Sequence, residues 1–149
     1  MSLPSALAEP EMRQRVALIA ESFERLLGRP LVEAGGDVVE ALWNAPHAVV
    51  AHGTEGDPVF FFGNRAALAA FEISFEDFAR LPSRKSAEAP LRGERQALLD
   101  RVSTHGFIDD YAGVHISAKG RRFRIKNAVV WNLIDAEGVR QGQAATFAV

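Results

Sequence analysis

The dipeptide Asp109-Asp110, followed at once by Tyr111, is the first place in this sequence where side chains could act on a substrate. Neighbours on an extended strand point to opposite faces, so the two carboxylates cannot work as a facing pair. Asp109 shares a side with Phe107 and Tyr111. In an apolar pocket it would be a lone general base, with Tyr111 donating to an oxyanion, as in a small isomerase. The competing reading is a solvated or turn-capping carboxylate. Histidine offers less. His47 and His52 are five apart and fall on opposite faces of a strand, with no carboxylate in register, so they give no metal-ligand set. His115 is otherwise one of the four histidines that could serve a haem. His105 ends a helix, where the helix dipole favours it whether or not it faces a haem. The chain has no cysteine, hence no thiolate nucleophile, thiolate ligand or disulfide, which fits a reducing compartment.

A second kind of site is a pocket. The stretch "GRRFRIKNAVVWNLID" from Gly120 to Asp135 alternates with period two. Phe123, Ile125, Val129, Trp131 and Leu133 fall on one side, Arg122, Arg124, Lys126 and Asn132 on the other. Asn127 lies on the apolar side. A buried amide without partners costs roughly 1–3 kcal/mol, so it must be paired by backbone, water or a ligand, unless a β-bulge turns it to solvent. Phe62, Phe71, Phe107, Tyr111 and Trp131 would supply the apolar wall, with Asn127 and Gln143 as its polar groups. Core filling by the same aromatics is the alternative. The basic stripe Arg122, Arg124 and Lys126 reads either as a solvated face or as a surface for phosphate or an acidic partner.

The elements that position these residues can be read from period and punctuation. At 149 residues, 48% hydrophobic, the chain has the size and composition of one domain with a real core. Its 17 basic and 19 acidic residues are spread along it, so no extended basic tract marks a nucleic-acid or membrane-surface binder. The start lacks a signal-peptide pattern and no run approaches the ~20 apolar residues of a membrane span. A soluble cytoplasmic protein is expected.

Apolar residues recur at helical spacing from Glu9 to Leu27, including Val16, Ile19 and Phe23, and Gly28-Arg29-Pro30 stops the helix. Asp37 caps a short helix through Trp43, and Pro46 forces Ala45 to be extended. "HAVVAHG" and "VFFFGN" should pair antiparallel across "TEGD". Asn64 caps a helix to about Phe71, and Ser74 with Asp77 opens another that ends by Pro82. "SRKSAEAP" reads as a loop. A helix follows with Leu91, Leu98 and Val102 inward and Gly106 just past its end. "FIDDYAGVHIS", "RRFRIKNAVVWNLI" and "VRQGQAATFAV" are strands joined by the glycine-bearing turns "AKG" and "DAEG". The class is α+β.

This order of elements, with Asn64 opening a helix after the second strand and "FEISFEDFARLP" running into an acidic short helix, resembles a PAS sensor domain. "HGTEGDPVFFFGNRAAL", "LPSRKSAE", "GFIDDYAGVHIS" and "GRRFRIKNAVVWNLIDAEGVRQGQAATF" resemble the MEKHLA domain, a PAS-related family of stand-alone bacterial proteins and of the C-termini of plant homeodomain leucine-zipper transcription factors. The likeness spans roughly Glu9 to Phe147. The peptide that names the family is absent, and no DNA-binding or zipper segment is seen, so no transcription-factor role is carried over. The resemblance implies a five-stranded antiparallel sheet of order 2-1-5-4-3 with helices on one face. It divides the chain into an N-terminal helical segment, 1–36, that packs on the domain or on a dimer mate, and a PAS-like domain, 37–149. It further implies a sensory module that binds a small apolar or aromatic molecule and signals by protein contact. The alternatives are an interaction or dimerisation module with a filled core and, third, the isomerase. A homodimer through Val16, Ile19 and Phe23, or through the outer sheet face, is the expected partner, with no nucleic acid and no membrane. Light-sensing PAS domains set asparagines and a glutamine against a flavin. Asn127, Asn132 and Gln143 look similar, but the two asparagines have opposite parity and the photoreactive cysteine is missing, so no cofactor is assigned.

Overall fold

Pro10, which needs no amide partner in the first turn, starts α1 (Pro10–Leu27). Gly28 ends it in the left-handed conformation at φ 73°, with its N–H donating to the Glu24 carbonyl. The structure, a computed structural model, describes residues 3–33, 35–87 and 92–149. Asp37 caps α2 (Val38–Asn44) by accepting from the Val39 N–H at 2.9 Å, and its carboxylate also pairs with Arg13 of α1. After these come β1 (Ala48–His52) and β2 (Phe60–Gly63), then α3 (Arg65–Phe71), α4 (Phe75–Phe78) and α5 (Arg92–His105). The chain closes with β3 (Phe107–Ile116), β4 (Arg122–Ile134) and β5 (Arg140–Phe147). "SRKS" is a 3₁₀ turn rather than open loop, and Ala87 bridges to His115. Leu91 lies outside the described residues, whereas Leu98 and Val102 pack against Ile108 and Val130 as expected.

One fully buried amide joins three of these elements and the link between α2 and β1. Asn64 Oδ1 accepts from the Ala67 N–H, capping α3, and from the Val49 N–H of β1, both at 3.0 Å. Its Nδ2 donates to the Leu42 carbonyl of α2 at 3.0 Å and to the His47 carbonyl at 2.9 Å. A side chain with two donors and two acceptor lone pairs is thereby saturated.

The strands form one antiparallel sheet in the order β2-β1-β5-β4-β3. Helices cover both of its faces. Trp131 stands in register with Ala144, Ala51 and Phe62, and on that outer side α1 lies across it. The Trp131 indole N–H donates to the Ile19 carbonyl at 3.1 Å, and its ring meets the Phe23 ring edge-on at 4.9 Å. Val16, Ile19 and Phe23 are completely buried here. The N-terminal helix therefore closes its own sheet, and the expectation that these three side chains face a second copy is corrected: no apolar surface on them is left to cover. Phe147, three residues from Ala144 on β5 and so on the opposite side, meets Phe71 of α3 on the inner face, as does Phe123.

Two bulges decide which residues share a face. On β4 Ile125 pairs with Gly113 and Ala128 with Tyr111, so Lys126 and Asn127 together oppose Ala112. On β3, Asp109 and Asp110 together oppose Val129. The first bulge reverses the phase of β4: Phe123 and Ile125 face inward, while Val129, Trp131 and Leu133 face outward.

Two substitutions test this account. Asn64→Ala strands two buried N–H groups and two carbonyls, and should lower unfolding free energy by about 3 kcal/mol or more, read as a lower urea midpoint at unchanged slope. Asn127 sits in left-handed backbone at φ 53° and is exposed. Asn127→Val should cost roughly 1–2 kcal/mol although nothing packs on it, and Asn127→Gly should cost nothing. Equal tolerance of valine and glycine would contradict the bulge.

Candidate functional site

The seven residues expected to line one pocket divide three ways. Phe71, Tyr111 and Gln143 lie on the inner face, Gln143 by its register with His52 and Asn132. Phe62, Phe107 and Trp131 share a register row on the outer face, with Trp131 covered by α1. Asn127 is in the bulge, exposed to solvent. The structure thus does not bring Phe62, Phe107, Asn127 and Trp131 to one face with the other three: the β4 bulge turns Asn127 and Trp131, the β3 bulge at Asp109-Asp110 sets Phe107 apart from Tyr111, and a register shift at Phe61 sets Phe62 apart from Phe60. Asn132, set aside for its parity, is the asparagine that faces inward.

The inner face has an aromatic end and a polar end. At the aromatic end, Phe60 stacks on Phe78 at 4.2 Å, and Phe71 meets Phe78 at 5.7 Å, Phe123 at 5.2 Å and Phe147 at 6.3 Å. Beside Phe71 a cavity of about 60 Å³ remains, bounded by Ile73, Leu81, Lys85 and residues 116–118. That space suits a few waters, not a drug-sized ligand.

Tyr111, Gly113 and His115 alternate along β3 and so face the same way. A Cβ at Gly113 would lie 2.7 Å from the Tyr111 hydroxyl oxygen, so glycine is what lets the ring lie along the strand and reach His115. The His115 Nδ1–H donates to the Ser86 carbonyl at 3.0 Å, since a carbonyl can only accept. That leaves Nε2 bare to take the Tyr111 hydroxyl proton across 3.1 Å. Burial favours the neutral imidazole and lowers the His115 pKa, the Ser86 contact opposing it; burial raises that of Tyr111. This chain of two side chains and a carbonyl ties the 3₁₀ turn to β3. Its weak sequence signal is the Tyr-x-Gly-x-His spacing.

At the polar end, His52, Gln143 and Asn132 form one row across β1, β5 and β4. The His52 Nδ1–H donates to the Gly53 carbonyl at 2.9 Å. Asn132 Nδ2 donates to the Val102 carbonyl of α5 at 3.4 Å, and its Oδ1 accepts from Arg140 at 3.2 Å. Gln143 and Ala145 are partly exposed in the sheet's middle strand, although their outer-face neighbour Ala144 is buried. The inner face is thus incompletely covered at these two positions.

The other candidates disperse. Asp109 and Asp110 are exposed in the β3 bulge, with Asp110 paired to Arg101 at 2.6 Å, so no inward base supports the isomerase reading. His105 is exposed, and among the described residues no group of three metal-ligating side chains gathers. No described helix is long and apolar enough to cross a membrane. An open cleft of about 520 Å³ at the start of α1 is lined by Glu9, Glu11, Met12 and Arg15, the last resting on the Phe61 ring at 3.8 Å.

The family model for the MEKHLA domain matches residues 13–149. Among curated relatives, the homeobox-leucine zipper protein ATHB-15 of Arabidopsis thaliana is 23% identical over 141 residues, covering 92% of this chain and 17% of its own length. ATHB-9 of the same plant is 27% identical over 143 residues, covering 91% and 17%. The chain thus spans about a sixth of the curated relatives it matches. Among solved structures, an RNA-binding light-oxygen-voltage receptor superposes with TM-score 0.62 at 15% identity, over 74% of this chain and 31% of that one. The light-state dimer of the fungal blue-light photoreceptor Vivid gives 0.60 at 12% identity, over 88% and 93%, and a PAS domain of a two-component sensor histidine kinase gives 0.57 at 18%, over 74% and 90%. At these identities the likeness establishes the PAS fold.

The histidines make a pH prediction. Burial is the largest cause lowering the pKa of His47, His52 and His115 below the ordinary 6.5. The unfolded chain therefore binds more protons below pH 6.5, so stability present above that value is lost on acidification towards the folded pKa values. The urea midpoint should fall between pH 7.5 and 5.5, and His115→Gln should fall less. An identical slope in the variant would remove His115 from this linkage.

Proposed function

Because this chain belongs to the MEKHLA domain family, we propose that it is a PAS-like sensory module holding a small apolar or aromatic molecule on the inner face of its sheet. The observation that carries the ligand reading is the partial exposure of Gln143 and Ala145 in the middle of the sheet, on the side where helices should bury them. Beside this strip Val130 and Ile108 lie buried under Leu98 and Val102, and Tyr111 gives it an aromatic edge. Gln143 and Asn132 supply amides that fix orientation, as polar groups do in mostly apolar ligand sites. Reporting then passes by contact with another protein, since the described fold presents no catalytic constellation. Whether that partner is a second copy is a separate question, and α1 does not require one.

A second reading, an interaction module with a filled core, rests on the opposite end of the same face. There Phe60, Phe71, Phe78, Phe123 and Phe147 fill the space between helices and sheet.

Native against denaturing mass spectrometry of the freshly purified protein separates the two. The ligand reading expects a mass excess that is lost on denaturation. It also expects Ala145→Phe, which projects a ring into the open strip at a packing cost of roughly 1–3 kcal/mol, to fold and carry no excess. A bare polypeptide mass for the unaltered chain would favour the filled core. A variant that keeps the excess would move the site away from β5.

A further inference from the structure

The outer half of β4 that α1 leaves uncovered carries a run of cations. Between Lys119 and Lys126 there are five basic residues and no acidic one, in a chain whose net charge is −2. Arg122, Arg124 and Lys126 are exposed and follow one another at every second position, so their Cα atoms are about 7 Å apart along the strand. Arg124 stands opposite Val114, which is partly exposed and faces outward because Gly113 and His115 face inward. Arg124 and Lys126 make no ion pair among the described residues, whereas Arg121, one position before the ribbon, is paired to Glu72. Arg124 and Lys126 are therefore the cations of this run whose charge an incoming group can meet.

From this arrangement we propose that the exposed face of the β3–β4 hairpin is a docking surface for an acidic, extended segment of a partner protein. An extended peptide presents alternate side chains at the same ~7 Å pitch, so carboxylates at every second position meet Arg124 and Lys126 while an apolar residue finds Val114. A polyanion such as nucleic acid fits less well. Its sequence-independent binding rests on many phosphate contacts, roughly 6–10 in strong cases, and three cations in a line fall short of that. The net negative charge of the chain also opposes long-range capture of a polyanion, whereas a short peptide feels mainly the local field.

The test uses the full chain and a fluorescein-labelled ten-residue peptide of alternating glutamate and valine, followed by fluorescence anisotropy at 50 and 200 mM salt. The unaltered protein should bind, more weakly at the higher salt. The Arg124→Glu/Lys126→Glu double variant, substituted only at exposed positions and checked by circular dichroism, should bind about 10-fold more weakly or worse. Arg124→Lys should keep most of the affinity. Equal binding of a glutamine-for-glutamate peptide, unchanged affinity in the double variant, or absence of binding would overturn the proposal. So would tighter binding to a single-stranded oligonucleotide, or to phosphatidylserine-containing vesicles, than to the peptide.

Discussion

One residue too many in β4 governs what every neighbouring element can touch. Lys126 and Asn127 share a single place opposite Ala112, and the strand beyond them runs in reversed phase. Holding a non-glycine residue at φ 53° costs roughly 1 kcal/mol, less for asparagine than for most. Against that stands the burial of Phe123 on α3 and of Trp131 beneath α1, either of which would cost about 3–5 kcal/mol to truncate. Without the extra residue both rings would lie on one face, and one of the two helices would lose its anchor. The balance favours the bulge by several kcal/mol, so strained backbone here is the smaller term.

The compensating bulge at Asp109-Asp110 follows from the same constraint. β3 must remain paired to β4 on both sides of the phase change, and an extra residue opposite Val129 restores the register towards Ile108 and Val130. It also places two adjacent carboxylates in solvent, where one pairs with Arg101. The acidic dipeptide is a sheet-register device. The outer face is then closed by α1 around Trp131 and left exposed at Arg124 and Lys126, while the inner face keeps a partly exposed polar row and the Tyr111–His115 pair.

This division explains what could be read from the sequence. Helix starts and stops were legible because they are local: Asp37, Asn64 and Ser74 accept the backbone N–H groups expected of caps. The order of the sheet was legible through the family resemblance and the glycine-bearing turns. What failed was a long-range assumption, that period two persists through a strand of 13 residues. No glycine marks the break, and asparagine tolerates left-handed backbone while being common in ordinary strands. The warning was Asn127 itself, a polar residue on an apolar side with no visible partner. Once the phase is corrected there, Asn132 turns inward beside Gln143 and Trp131 turns out to α1. The Tyr111–His115 chain left only the Tyr-x-Gly-x-His spacing as a trace, because it depends on a ring lying over Gly113 and on a carbonyl from a distant turn.

The phase change also gives β4 a particular position between the two proposed surfaces. Asn132 belongs to the inner polar row and is bonded to α5 through the Val102 carbonyl, whereas Arg124 belongs to the exposed ribbon. Both are carried by one strand, and the bulge separates them. A strand paired on both sides resists sliding, because moving it by one residue would exchange every inward and outward side chain. β4 is paired on both sides from Val129 onward but only to β3 below the bulge, so its ribbon half is the less constrained. On the proposed reading, a molecule that alters the contacts of Asn132 acts on the fixed half of the strand. Any adjustment is then absorbed where pairing is weakest, at the segment that bears the cations. The same extra residue that sorts the core thus sets the place at which an event on the inner face can reach an outer one.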